Sequence, residues 1–255
     1  MKLPARAHDP EQLTRAHVYP FVAFMCFMLV LMVLGHFIEW KHPDAPWWRQ
    51  QPSQLVYPIQ TLVCLGFLAY FWRSYTFQWS LKWSLVGIVF GAIGIGFWLL
   101  PTTLYDHWKL TENPTGWLGM LGVEERKEGF DPSIFQDPIA YWSSLTFRFI
   151  RAAVVVALIE EIFWRGFIMR LVCDWEGDYW RQQFGRHRWL SYFIVTGLFM
   201  AAHSSTDYAG AFIYGSLTYF LCVWSKNLGA CVVMHATANL LMGLYIMAYG
   251  KYGLW

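Results

Sequence analysis

The chain has 255 residues, 56% of them hydrophobic and only 14% charged, with 16 Trp, 20 Phe and a formal charge of +2. Soluble domains carry about 25% charged residues, so composition argues against a soluble globular protein and for a polytopic membrane protein. A charge of +2 is too small a footprint for nucleic acid, and the aromatic excess suits rings placed at bilayer interfaces.

Residues 1–18 are polar and carry Lys2, Arg6 and Arg15, which reads as a cytoplasmic tail. The first apolar run, 19–38, is long enough for a hydrocarbon core of about 30 Å. It is too long for a signal-peptide core and has no evident cleavage site, so it is expected to be retained. His36 and the Glu39-Trp40-Lys41 stretch at its end read as interfacial, and Pro43, Pro46 and Pro52 mark a turn-rich connection. Runs at 55–72 and 83–100 complete a group of three N-terminal transmembrane helices over 19–100. Gly87 and Gly91, followed by Gly94 and Gly96, are small residues of the kind that let helices approach closely in lipid.

Residues 101–138 hold seven acidic and three basic residues and read as an extramembrane loop, with a short interfacial helix near 117–120. The run 139–172 reads as one long spanning helix, with Arg148 and Arg151 as snorkelling anchors. A loop with Arg181, Arg186 and Arg188 follows. Runs 189–202, 209–224 and 228–249 complete the chain, joined by Ser204-Ser205-Thr206-Asp207 and by Lys226-Asn227. The fold expected is all-α, a polytopic transmembrane helix bundle of seven spans, or eight if the acidic loop dips into the bilayer. With the N-terminus inside, ten Lys and Arg fall inside and eight outside, the Arg-bearing loop being the strongest evidence. Cys26, Cys64, Cys173, Cys222 and Cys231 form no CxxC pair, and four of them lie in apolar runs. They read as small core residues, not as a disulfide set or metal site.

Within the run 139–172, Glu160, Glu161 and Arg165 are ionisable residues placed where charge is expensive, which points to function by default. Glu161 and Arg165 are four apart and share a helix face, so they are expected to pair. Glu160 is turned about 100° away on an α-helix and is left to face something else. Three further polar residues lie inside or at the end of apolar runs: His203 with Phe199 four residues before it, and His235 with Asn239 four residues after it. At 1.5 Å per residue, Glu160 lies about 15 Å from Arg170, His203 about 21 Å from Trp189, and His235 and Asn239 about 10 and 16 Å from Leu228. Matched depth on three helices predicts a shared polar pocket, expected to open toward the cytoplasmic side. Each residue also has a plainer reading: a structural ion pair for Glu161 and Arg165, an interfacial cap for His203, and interhelical hydrogen bonding for His235 and Asn239.

Glu160-Glu161-xxx-Arg165, Phe199-xxx-His203 and His235-xxx-Asn239, in that order on apolar helices, resemble the three motifs of the CAAX protease and bacteriocin-processing family of intramembrane endopeptidases. That family includes the type II CAAX prenyl proteases. The resemblance covers about residues 139–249, within a catalytic region of motif-bearing transmembrane helices expected over 139–255; the finer likeness is to the CAAX-protease-related membrane proteins found with bacterial exosortase systems. It implies an integral protein of the bacterial inner membrane that cleaves a peptide bond of a membrane-associated protein or peptide. By the same resemblance Glu160 and His203 would activate water, His235 and Asn239 would stabilise the tetrahedral oxyanion, and no cofactor or metal would be used. The chemistry is coherent on its own terms. Hydrolysis near neutral pH needs a base, a role to which burial suits a carboxylate, and donors aimed where negative charge develops.

There is no HExxH and no GxSxG, and no cysteine sits beside a histidine in sequence. Glu160, His203 and His235 would make a two-His, one-carboxylate zinc set, the alternative to a metal-free site, though this leaves Asn239 unused. Two readings from other classes stay open: a catalytically silent scaffold or immunity protein on the same fold, and a proton-coupled transporter using the same ionisable residues.

Overall fold

The structure is a computed structural model that describes residues 9–37 and 52–255. The tail residues Lys2 and Arg6, the Glu39-Trp40-Lys41 interface and the turns at Pro43 and Pro46 lie outside the described residues. Among the described residues every regular element is helical. Four helices are long and apolar enough to cross a membrane: α1 (Pro10–Phe37), α2 (Pro52–Tyr70), α3 (Leu81–His107) and α10 (Leu228–Tyr249). The chain is an all-α integral membrane protein. Large apolar side chains such as Leu29, Leu62, Leu85 and Leu244 stay exposed on these helices, as lipid-facing residues must.

The chain divides into two compact units, Met1–Thr76 and Phe77–Trp255. In the first, α1 and α2 pack together. Pro20 lies inside α1 and has no N–H to give to the Ala16 carbonyl one turn before it. The Tyr75 hydroxyl donates to that carbonyl at 2.8 Å instead. Burial lifts the Tyr75 phenol above its ordinary range, which keeps it a donor. Gln60 Nε2 also donates to Phe24 O at 3.0 Å, tying the two helices at mid-length.

The second unit holds α3, a four-residue α4 (Trp117–Met120), α5 (Pro138–Ile150), α6 (Ala157–Glu161), α7 (Met169–Leu171), α8 (Trp189–Ala201), α9 (Tyr208–Ser225) and α10. Within this unit α3 packs with the motif-bearing helices. Its glycines are the reason. A Cβ at Gly87 would stand 2.7 Å from Ala230 O, and one at Gly91 would stand 2.5 Å from Met234 O, so α3 lies directly on the backbone of α10. α3 also continues past Pro101 to His107; a proline costs the helix one hydrogen bond and a bend, not its direction. The acidic segment that follows contains α4 where a short helix was expected.

The run 139–172 follows one unbroken helical path, but not one α-helix. α5 begins on Asp137, whose side chain accepts from Ala140 N at 2.8 Å, with Pro138 at the first helical position. Two π-helical segments, Arg151–Val156 and Ile162–Ile168, then flank α6. The first contains the β-branched run Val154-Val155-Val156, which crowds an α ladder. Asn239 Nδ2 donates to Ala152 O at 2.8 Å and takes up a carbonyl of that turn. Arg148 is buried, with its guanidinium 3.7 Å from the centre of the Phe130 ring. The acidic segment folds back over α5 here, its Phe130 and Phe135 packing with Ala140 and Trp255, so the cation meets an aromatic face where a snorkelling chain was expected.

Candidate active site

Glu161 and Arg165 are both fully buried, and Arg165 Nη1 donates to Glu161 Oε1 at 3.1 Å. The same oxygen lies 2.9 Å from Nδ1 of His235, which α10 brings alongside α6. The carboxylate oxygen can only accept, so His235 carries its proton at Nδ1 and leaves Nε2 as its working atom. Glu161 therefore does more than balance Arg165: it fixes the ring of His235. The sequence pointed to Glu160 as the partner of the histidines, because on an ideal α-helix Glu161 faces Arg165. Here π segments adjoin both ends of α6, and Glu161 reaches Arg165 and His235 together.

Glu160 is half-buried and makes no hydrogen bond or ion pair among the described residues. His203 follows the end of α8. Its Nδ1 lies 2.8 Å from Phe199 O, a carbonyl that can only accept, so Nε2 is the free nitrogen here too. The His203 ring lies 4.7 Å from the Phe199 ring and 5.2 Å from Trp98 of α3, centroid to centroid. Phe199, expected to pack on His203, also lies under the Arg165 guanidinium at 5.3 Å. It thus joins the first motif to the second. Asn239 is half-buried, with one amide N–H committed to Ala152. Among the described residues no three His, Cys, Asp or Glu side chains are gathered closely enough to hold a metal ion.

His203 stands beside the turn Ser204–Asp207, at the end of α8 away from the Arg-bearing loop, as its distance of about 21 Å from Trp189 implied. Asp207 accepts from the Ser204 hydroxyl at 2.6 Å and from Arg126 Nη2, in the acidic segment, at 2.8 Å. Ser204 and Ser205 are exposed. The physical reason is length: α8 has 13 residues, about 20 Å at 1.5 Å per residue, and His203 is reached only after it ends. The solvent-exposed edge of the site therefore lies with the acidic segment.

Two side chains escaped the sequence reading. Trp98 and Tyr214 looked like ordinary aromatics of apolar runs, yet they complete the wall between the histidines; the signal was Gly94, Gly210 and Gly215, whose missing side chains make room for rings. Residues 142–241 match the family described as Type II CAAX prenyl endopeptidase Rce1-like. No curated protein and no solved structure matches the chain.

Proposed function

We propose that this chain, a member of the CAAX protease family through residues 142–241, is an intramembrane endopeptidase that hydrolyses a peptide bond of a membrane-associated protein or peptide with a glutamate-activated water. In this reading the free Nε2 of His203 accepts one O–H of the attacking water and orients it, Glu160 takes the proton from the other O–H, and Glu160 returns that proton to the leaving amine nitrogen as the peptide bond breaks. His235, as an imidazolium that keeps its Nδ1 proton on Glu161 and carries a second proton at Nε2, hydrogen-bonds the developing oxyanion, helped by the second amide N–H of Asn239. Glu161 and Arg165 hold His235 in place. No metal is part of this scheme. The observation that carries the reading is the Glu161–His235 contact at 2.9 Å: a buried carboxylate orients one imidazole, while the adjacent carboxylate is left without a protein partner on the matched segment. Catalytic contacts that are long in a ligand-free site tighten when substrate binds, and Glu160 is half-buried with no hydrogen bond among the described residues to hold it elsewhere.

We further propose a bacterial inner-membrane location with a cytoplasmic N-terminus and a place among the exosortase-associated members. The neighbouring genes test that last point. The engagement of Asn239 with Ala152 favours one other reading, a silent scaffold on the same fold, in which the polar residues serve only packing. Purified protein in proteoliposomes, offered membrane-anchored peptides and analysed by mass spectrometry, separates the two. The protease reading expects defined cleavage products that persist after prolonged chelation. No cleavage of any peptide favours the scaffold, and activity lost in chelator but restored by zinc means a metalloprotease.

A further inference from the structure

Between His203 and His235 the interior is filled by three aromatic rings, each seated over a glycine. A Cβ at Gly94 would stand 2.8 Å from the ring of Tyr214, one at Gly210 would stand 3.0 Å from that of Trp98, and one at Gly215 would stand 3.1 Å from that of Phe199. Tyr214 is the member that touches both sides. Its ring meets His235 edge-on with centroids 5.8 Å apart, and lies 6.1 Å from each of Trp98 and Phe199. Those two rings hold His203.

Among the described residues the hydroxyl of Tyr214 is buried with no hydrogen bond of normal geometry, in a residue only 3% exposed. If the ring served packing alone, phenylalanine would fill the same space without leaving a polar atom unpaired, which is destabilising in an apolar interior. A second buried orphan of opposite polarity belongs to the same cluster: Glu161 Oε2, the oxygen used by neither Arg165 nor His235.

We infer that Tyr214 is a positioning residue of this site, whose hydroxyl, through one water, completes the hydrogen bonding of the Glu161–Arg165–His235 cluster and so fixes the imidazole of His235. This rests on the protease reading for its catalytic consequence but not for its structural one. The decisive variant is Tyr214→Phe, which keeps the ring. In proteoliposomes its kcat falls about tenfold or more with KM unchanged, and its thermal midpoint falls as well, because Glu161 Oε2 is left without its donor. A merely structural tyrosine would lower the midpoint and leave kcat of the folded fraction intact; native kcat in Tyr214→Phe overturns the inference. If the native chain cleaves nothing, the protease reading fails by itself, and ¹⁵N-histidine NMR in detergent still decides on Tyr214. The His235 ring signal, assigned by its loss in His235→Asn, shifts in Tyr214→Phe if the hydroxyl orients the cluster. An unchanged His235 signal overturns the inference.

Discussion

Arg165 is fully buried with only Nη1 hydrogen-bonded, and its Nε and Nη2 have no partner among the described residues. Such an arrangement is costly unless the ion pair is retained, because removing one partner strands the other charge in a low dielectric. Breaking a buried pair from one side costs about 3–5 kcal/mol. Arg165→Ala is therefore expected to lower the thermal midpoint in detergent well below that of Glu160→Gln, since Glu160 has no protein partner to strand. Equal midpoints for the two variants would contradict the pairing of Glu161 with Arg165. His235 belongs to the same cluster, so Arg165→Ala disturbs the site as well as the fold. The two glutamates thus differ in kind although adjacent: one is held from two sides, and the other is free to meet a ligand.

Helix elements set these differences. Gly87 and Gly91 let α3 lie on α10, and a methyl group at Gly91 would meet Met234 O at 2.5 Å and Thr237 Cβ at 2.9 Å. Backbone cannot yield as a flexible side chain can, so Gly91→Ala is expected to destabilise by about 1–3 kcal/mol, the usual cost of overpacking. Thermal unfolding beside Gly96→Ala, where nothing lies within 4 Å, checks it; equal midpoints would place the α3–α10 contact elsewhere. A close helix approach here was legible in the sequence as small residues one turn apart, though not α10 as the partner, and the Glu161–Arg165 pair was legible too. The π segments were not. Apolar periodicity over 139–172 looks the same whether a turn holds an extra residue or not, and the cause lies partly in Asn239, 87 residues away from the Ala152 carbonyl it engages. Trp98 and Tyr214 were hidden for a related reason: their importance comes from facing glycines on other helices, and a single chain pattern does not record which helices meet.

At the scale of the molecule, charge divides the second unit between its ends. The segment 101–138 carries seven acidic residues and three basic ones, whereas Arg181, Arg186 and Arg188 gather between α7 and α8. Positive charge in short loops marks the cytoplasmic side, so a cysteine at position 181, made by Arg181→Cys in a Cys26→Ser background, is expected to resist an impermeant thiol reagent in intact cells. Background from Cys173 is expected to be small, because burial pushes its thiol up from the ordinary value. Labelling of position 181 from outside would invert the topology, and with it the expectation that the exposed Ser204–Ser205 edge of the site faces away from the cytoplasm. The central claim is that Glu160 activates the hydrolytic water while Glu161 holds the site together. It is tested most directly by turnover of Glu160→Gln in proteoliposomes against a peptide that the native chain cleaves. The expected result is loss of cleavage to background with an unchanged thermal midpoint; turnover near that of the native protein would remove Glu160 as the base.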